Sequence, residues 1–484
     1  MQLTTSLSTN DTQRVTEHTP LLREIERNDT HIDPAGGNSA GGSNFAAYID
    51  IVCIVAGTGI LGLPYALKQS GWIGMGLIVL AMVATTYTSI LLIKCLHYNS
   101  HTRLTSYAEI GYHAYGNVGK YVAGIFNDII LLGVPVLFLI FAAQNLNDLA
   151  VHNFSIELGI TIWTMICGLL VAVPFITMKT IKEITILRFV ANKLRWKKAK
   201  LFDRFNSLVV TVNKHLTQYQ LFHFTVLVSS FFGSFSTLFC ILVVIVLSIL
   251  DTPGNRSDLP PPEHQIISFS EFPVAFATIS FSFGGNIVFP HIEEAMQKPN
   301  DWGKVVIGAL STCAVINLIT AGVAYAVYGN NVASPVLSSV PNGLALTIAT
   351  LMITLHVLFT TPILMTAFAH DAEKTLKVTR DHLTPGAEFL FRFLLRAFLV
   401  VVSVFVAVIV PFFGDFMALL GALANCLLVF VLPVVFYLKL YGWKTVTTSE
   451  IIWCMFVMTI GVIGCLFGSA NAILALMKDF RESM

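Results

Sequence analysis

Residues 57–64 read Gly57-Thr58-Gly59-Ile60-Leu61-Gly62-Leu63-Pro64, and they interrupt the first long apolar segment of the chain. Glycine costs about 1 kcal/mol in a helix interior, and proline removes a backbone hydrogen-bond donor. Three glycines and a proline in one segment therefore predict a helix that is locally unwound there.

The sixth apolar segment carries the same kind of interruption, in Ser280-Phe281-Ser282-Phe283-Gly284-Gly285-Asn286, followed by Pro290. Unwound backbone at membrane depth is tolerated only where it lines a cavity or is buried in protein. A pair of interrupted segments indicates a transporter binding site, and a separation of five segments is typical of two inverted repeats. Close helix packing would also use glycines, but it does not require the polar neighbours Thr58, Ser282 and Asn286.

The direction of each segment predicts the ligand. If the amino terminus is cytosolic, the first segment runs outward, and free N–H groups from about Gly57 to Leu61 suit a carboxylate. The sixth segment then runs inward, and carbonyl groups near Ser280 to Phe283 suit an ammonium group. Facing donors and acceptors recognise a zwitterion, so we predict an amino acid as the ligand.

The composition places the remainder of the chain in a membrane. Of the 484 residues, 55% are hydrophobic and 12% are charged, with a net charge of +1, whereas soluble proteins carry about 25% charged residues. This pattern argues against a water-soluble enzyme and gives nucleic-acid binding no electrostatic support. We predict an all-α integral membrane protein with eleven transmembrane helices. The predicted spans are 45–67, 71–96, 118–145, 158–181, 225–250, 271–290, 303–328, 343–369, 390–411, 414–438 and 449–476.

The basic residues predict the orientation of these spans. Of the 29 Lys and Arg residues, only Lys68, Arg256, Lys478 and Arg481 fall on the non-cytosolic side when the amino terminus is cytosolic. This asymmetry follows the positive-inside rule. All eight cysteines lie inside apolar runs, so we expect neither a disulfide framework nor a metal site.

The domain organisation follows from the spans. We predict a disordered cytosolic tail over residues 1–44, a transmembrane transporter domain over residues 45–476 and a short lumenal carboxyl terminus over residues 477–484. Residues 188–224 form a basic cytosolic insertion between the fourth and fifth spans. Two interpretations of this insertion stay open: a polybasic segment that meets anionic lipid, or an unspliced intron that has been translated.

Short motifs predict sorting and modification. Glu17, Leu21 and Leu22 fit an acidic dileucine pattern that sorting adaptors read, which favours the vacuolar or lysosomal membrane over the plasma membrane. Asn153 and Asn255 begin glycosylation sequons in loops predicted to be lumenal.

Three stretches of sequence resemble a known family. They are Gly57–Leu67 with Gly71-Trp72; Phe281–Asn286 with Phe289-Pro290, Glu293 and Met296–Pro299; and Ser106–Gly111. The first two resemble the signatures of the amino acid/auxin permease family of transmembrane amino acid transporters, and the third is similar to its vacuolar branch. The likeness covers about residues 45–476.

The resemblance implies a LeuT-type fold, a 5+5 inverted repeat in which helices 1 and 6 are broken. It also implies secondary transport of amino acids, coupled in the vacuolar branch to protons. By position, it places substrate contacts on Gly57, Thr58, Gly59, Ile60, Gly62, Ser282, Phe283, Gly284 and Gly285. We add Asn286 because it is the polar residue that ends the second interruption.

Ionisable groups at membrane depth are candidates for coupling. Asp128 in the third span and His356 in the eighth could each carry the transported proton, and each could equally be a structural polar group between helices. Sodium coupling is the competing mechanism, and hydroxyl groups of Thr58, Thr360 and Thr361 in the first and eighth spans could supply ligands for it.

Other charged groups near the helix ends are predicted to meet solvent. We expect Arg392 and Arg396 to extend to the membrane interface at the start of the ninth span. We expect His291, Glu293 and Glu294 to form a solvated rim at the cytosolic end of the sixth.

The predicted function is therefore secondary active, proton-coupled transport of amino acids across a vacuolar or lysosomal membrane by alternating access. The alternatives are a sodium-coupled symporter of the plasma membrane and an amino acid sensor with little flux. We predict no enzymatic activity, no cofactor besides the coupling proton or sodium ion, and no nucleic-acid partner. The partners are the amino acid, the lipid bilayer and sorting adaptors.

Overall fold

The computed structural model describes residues 43–98, 103–177, 218–251, 262–378 and 384–483, which form helices joined by short turns. The predictions for the amino-terminal tail, for Glu17, Leu21, Leu22 and Asn255, and for most of the basic insertion fall on the remaining residues.

The helices follow one another as the apolar segments predict. In chain order they are α1 (Asn44–Val55), α2 (Leu63–Ser70), α3 (Ile73–Leu96), α4 (Tyr107–Phe154), α5 (Ile160–Thr177), α6 (Gln218–Leu250), α7 (Phe272–Ser282), α8 (Phe289–Glu294), α9 (Trp302–Tyr328), α10 (Leu344–Thr375), α11 (Pro385–Ile409), α12 (Phe413–Leu420), α13 (Leu432–Tyr441) and α14 (Thr448–Ser483). Short 3-10 turns lie at Thr58–Gly62, Pro299–Asp301, Gly329–Asn331 and Val336–Ser339, and two π-helical turns, Gly421–Asn425 and Leu427–Val431, join α12 to α13.

Nine helical segments within the described ranges are long and apolar enough to cross a membrane, against eleven predicted spans. The other two predicted spans correspond to shorter apolar helices, at Ile160–Ile176 and Phe272–Ser282. The second of these is short because the predicted interruption ends the helix at Ser282. The first ends where the described part of the chain ends, after Thr177.

Several helices extend beyond the predicted spans. α6 begins at Gln218 instead of residue 225, so the last part of the predicted insertion is helical. α4 bends at Tyr115 and Gly116, where Gly116 has a φ of 62°, and it continues to Phe154. Asn153 is therefore an exposed residue in the last turn of α4 rather than in a loop. α14 continues to Ser483, through the predicted terminal segment.

The apolar interior has two main clusters, and the broken segments lie between them. One cluster includes side chains of α1, α3, α9 and α13, and the other includes side chains of α4, α5, α10 and α11. Ile60 of the first 3-10 turn belongs to the first cluster, and the next residue, Leu61, belongs to the second. The turn therefore joins two packed halves, which is where transporters of this architecture place their sites.

A buried ion-pair network corrects one prediction. Arg396 is fully buried instead of reaching the membrane interface. Its guanidinium donates to Glu373 at 3.0 Å and to the carbonyl of Phe175 at 2.9 Å. Arg392 donates to Glu373 and to Glu388, at 3.2 and 2.7 Å. Because charges are buried only when paired, this network fixes α5, α10 and α11 together.

Candidate substrate site at two broken helices

The first break lies between α1 and α2. Beyond α1, Gly57 takes an extended conformation, with φ −92° and ψ −159°, and the 3-10 turn Thr58–Gly62 follows. The N–H groups of Gly57, Thr58 and Gly59 find no acceptor among the described residues. Thr58 is only 4% exposed. Gly59 is also buried, whereas Gly57 is half-buried. Because buried N–H groups are nearly always paired, the unpaired donors of Thr58 and Gly59 can serve a ligand.

The second break lies between α7 and α8. A tight turn closes α7, with N–H groups of Phe283 and Gly284 donating to carbonyls of Ser280 and Phe281 at 3.1 and 3.0 Å. The carbonyl groups of Ser282, Phe283 and Gly284 accept no hydrogen bond within the described ranges. These free acceptors can bind a group that donates hydrogen bonds.

The two breaks are in contact through Gly59. A Cβ atom placed on Gly59 would lie 3.0 Å from Cα of Ser282 and 3.1 Å from its Oγ. One turn later, the space beside Gly62 is filled by Met417 of α12, and Thr278 of α7 lies close by. The structure thus brings predicted residues of both segments into contact, and each segment carries backbone groups that have no partner among the described residues.

The π-helical segment after α12 contributes a residue that sequence reasoning missed. The amide nitrogen of Asn425 donates to the carbonyl of Ser280 at 2.6 Å and contacts its hydroxyl at 3.1 Å. The amide oxygen would lie 2.6 Å from a Cβ placed on Gly284. Asn425 therefore contacts both sides of the tight turn in the second break. The signal available in the sequence was a polar residue, four positions after Gly421, inside an otherwise apolar span.

Replacing Asn425 with leucine should impair transport without unfolding the chain. Leucine has a similar size but cannot donate to Ser280, so the turn at the second break loses its support. We expect the ratio kcat/KM for uptake to fall roughly tenfold, the effect of one buried hydrogen bond. Asn471→Leu is the matched control, because the amide of Asn471 donates at 3.2 Å to a carbonyl on an exposed face. Equal uptake by the two variants would contradict this role.

Two further buried amides lie near the breaks. The oxygen of Asn286 accepts from the hydroxyl of Ser89 on α3 at 3.1 Å, so this predicted substrate residue contacts α3. Its amide nitrogen has no partner among the described residues, and neither amide atom of Asn317 on α9 has one. α9 contacts the 3-10 turn of the first break. Unpaired buried amides are places where ordered water or a ligand binds.

The four predicted coupling residues make contacts of their own on α4 and α10. The hydroxyl of Thr360 donates to the carbonyl of His356 at 2.9 Å, and that of Thr361 to Val357 at 2.7 Å. The ring of His356 packs against Gly233 of α6. Asp128 is partly buried, and it interacts electrostatically with the carboxylate of Asp371. No hydrogen bond between described residues links any of the four to Gly59 or Ser282.

The predicted solvated rim beyond the second break is instead a buried clamp. Glu293 is only 1% exposed. Its carboxylate accepts from Nε and Nη2 of Arg103 at 3.1 and 2.8 Å, and it is 2.8 Å from Nε2 of His97. Arg103 also donates to the carbonyl of Pro290 at 2.6 Å. The clamp therefore holds α8 against the end of α3 and against the segment that leads to α4. Glu294 remains exposed, as predicted.

Known proteins are similar to this chain in sequence and in fold. A sequence model of the family described as transmembrane amino acid transporter protein matches residues 40–196 and 205–474. Amino acid transporter AVT1B of Arabidopsis thaliana is 23% identical over 438 residues, covering 90% of this chain and 71% of AVT1B. Amino acid transporter AVT1I of the same plant is 25% identical, covering 88% and 94% of the two chains.

Among solved structures, the inward-facing conformation of Mhp1 matches with a TM-score of 0.53 at 11% identity, over 93% of this chain and 94% of Mhp1. This likeness shows the predicted LeuT-type fold, with helices 1 and 6 broken. The relatives are transporters rather than enzymes, as the sequence predicts. With the family model matching most of its length, this chain belongs to the transmembrane amino acid transporter family.

Proposed function

We propose that the chain is a secondary active transporter that carries amino acids by alternating access, coupled to protons, across a vacuolar or lysosomal membrane. The contact between the two breaks, at Gly59 and Ser282, is the observation that supports this proposal. Free N–H groups at Gly57–Gly59 suit the carboxylate of an amino acid, and free carbonyls at Ser282–Gly284 suit its ammonium group. The position of the breaks between two apolar clusters allows one half to move relative to the other.

Two observations support proton coupling: titratable groups on the predicted spans, and the resemblance of the sequence to the vacuolar branch. The sequence resembles a branch whose members typically use protons, and Asp128 and His356 lie on helices long enough to cross the membrane. A sodium ion would instead use hydroxyl and carbonyl oxygens. Thr58, Thr360 and Thr361 keep lone pairs that could serve such an ion, so the coupling ion must be measured.

Reconstituted uptake tests the function directly. The full chain in proteoliposomes is offered a panel of labelled amino acids under imposed pH or sodium gradients. We expect a severalfold stimulation of uptake by the pH gradient and loss of that stimulation with a proton ionophore. Uptake that needs sodium and ignores the ionophore would identify the sodium symporter instead. Saturable binding without flux would identify a sensor.

The proposed location rests on the dileucine pattern in the amino-terminal tail. Replacing Leu21 and Leu22 together with alanine should remove the adaptor contact and raise the fraction of the protein at the cell surface severalfold. Surface biotinylation measures that fraction. Leu3→Ala with Leu7→Ala is the matched control in the same tail. An unchanged surface fraction in the Leu21 and Leu22 variant would refute this sorting role.

A further inference from the structure

A polar pocket lies at the end of α4, away from the two breaks. It is bounded by α4, by the 3-10 turn Val336–Ser339 and by the start of α10, and its volume is about 280 Å³. Asn145 and Thr350 are buried residues of its lining, while His152, Asn153 and Asn342 are exposed. The pocket therefore has a buried floor and an open mouth. By the predicted orientation of the spans, this mouth faces the lumen.

The lining of the pocket favours a cation that donates hydrogen bonds. Among the described residues that line it, Asp148 is the only carboxylate, and none is Lys or Arg. One oxygen of Asp148 accepts from the hydroxyl of Ser338 at 3.2 Å. The amide nitrogen of Asn145 donates to Thr354 at 3.0 Å, and its amide oxygen accepts no hydrogen bond from any described residue. A carboxylate with neighbouring amide and hydroxyl oxygens matches the three N–H donors of a primary ammonium group.

The size of the pocket restricts the ligand. Pockets for drug-sized molecules occupy roughly 300–1,000 Å³, so a volume of about 280 Å³ suits one small molecule. His152 lies one helical turn beyond Asp148, at the mouth. An amino acid bound by its ammonium group at Asp148 would therefore extend its carboxylate toward this imidazole or toward solvent.

One 3-10 turn, Val336–Ser339, both lines the pocket and packs in the apolar cluster that includes Leu61 of the first break. Leu337 and Ser338 line the pocket, and both belong to the 3-10 turn Val336–Ser339. Val336 and Leu337 pack in the same apolar cluster as Leu61 of the first break. A ligand that replaces the hydroxyl of Ser338 at Asp148 would thus act on the turn that packs over the first break.

We propose that this pocket is a second binding site, in which the carboxylate of Asp148 holds the primary ammonium group of an amino acid while Asn145 and Thr350 accept its other hydrogen bonds. That the natural ligand is an amino acid rests on the proposed function. The capacity to bind a small primary ammonium ion does not.

Equilibrium dialysis of labelled n-propylammonium against the full chain in lipid nanodiscs tests the site. We expect Asp148→Asn to bind n-propylammonium at least about tenfold more weakly than the unmodified chain, because a charge-assisted hydrogen bond becomes neutral. Glu157→Gln is the matched control: it removes an exposed carboxylate just beyond α4 that does not line the pocket. We expect it to bind normally. Excess tetramethylammonium, which has no N–H donor, should not compete.

Unchanged binding by Asp148→Asn would overturn the proposal, and so would equal losses in both variants or full competition by tetramethylammonium. If Asp148→Asn does not fold, Thr347→Phe replaces it, because it fills the pocket without changing a charge. This variant should lose the site, and undiminished binding would reject the proposal. Uptake of amino acids is measured separately. If the pocket does not bind n-propylammonium but uptake is intact, the second site is rejected and the proposed function is retained. If the pocket binds n-propylammonium but no amino acid is taken up, the proposed function is rejected and the second site is retained.

Discussion

Gly59→Val is expected to lower amino acid uptake at least about 100-fold in correctly inserted protein. A Cβ atom at residue 59 would already lie 3.0 Å from the backbone of Ser282, and valine adds two methyl groups to it. The helix backbone at Ser282 cannot rotate away as a flexible side chain could, so the two breaks must separate. A displacement of about 1 Å in a positioned site can cost 100-fold in rate. Uptake into proteoliposomes measures the loss.

Two variants show whether the loss comes from this contact. Gly76→Val on α3 is the matched control, because a Cβ atom there would meet nothing within 4 Å. It should keep normal uptake. Gly59→Ala should give an intermediate rate, since it adds only the first atom of the clash. Full uptake by correctly inserted Gly59→Val would exclude the contact between the breaks as the substrate site.

The local part of this site could be predicted from the sequence. Glycine and proline act on the backbone where they occur, so an interruption within residues 57–64 could be predicted, and the observed turn Thr58–Gly62 lies inside that stretch. The same reasoning placed the second break next to Ser282. Helix boundaries were less accurate, as at Gln218 and Phe154, because an apolar composition does not mark the residue at which a helix begins or ends.

The residues that hold the site from other helices could not be predicted. Asn425 reaches Ser280 across 145 positions of sequence, and its orientation depends on a π-helical turn that no local pattern specifies. Arg396 looked like an interfacial residue because its partner Glu373 is on another helix. Glu293 looked solvated because its partners, His97 and Arg103, are far from it in the sequence. Burial of a charge is decided by partners in space, and one sequence does not show which partners meet.

Glu293→Gln is expected to destabilise the chain and to reduce coupled uptake by about one to two orders of magnitude. Glutamine keeps an acceptor oxygen, but it leaves the guanidinium of Arg103, which is 22% exposed, without a buried counter-charge. Breaking one partner of a buried ion pair costs about 3–5 kcal/mol, and the partial exposure of Arg103 favours the low end. The thermal unfolding midpoint and the rate of uptake measure the two effects.

The neighbouring carboxylate supplies the control for this clamp. Glu294 is 3.4 Å from Nη1 of Arg103 but is 58% exposed, and an exposed ion pair contributes about 0–1 kcal/mol. Glu294→Gln should therefore change neither measurement appreciably, although it removes the same charge one residue away. Arg103→Leu combined with Glu293→Leu should recover much of the lost stability, because an apolar pair needs no counter-charge. The double variant should not recover uptake, because an apolar pair cannot replace a clamp that opens and closes as α8 moves. Equal effects at residues 293 and 294 would show instead that net charge at this end of the molecule, and not the buried clamp, controls transport.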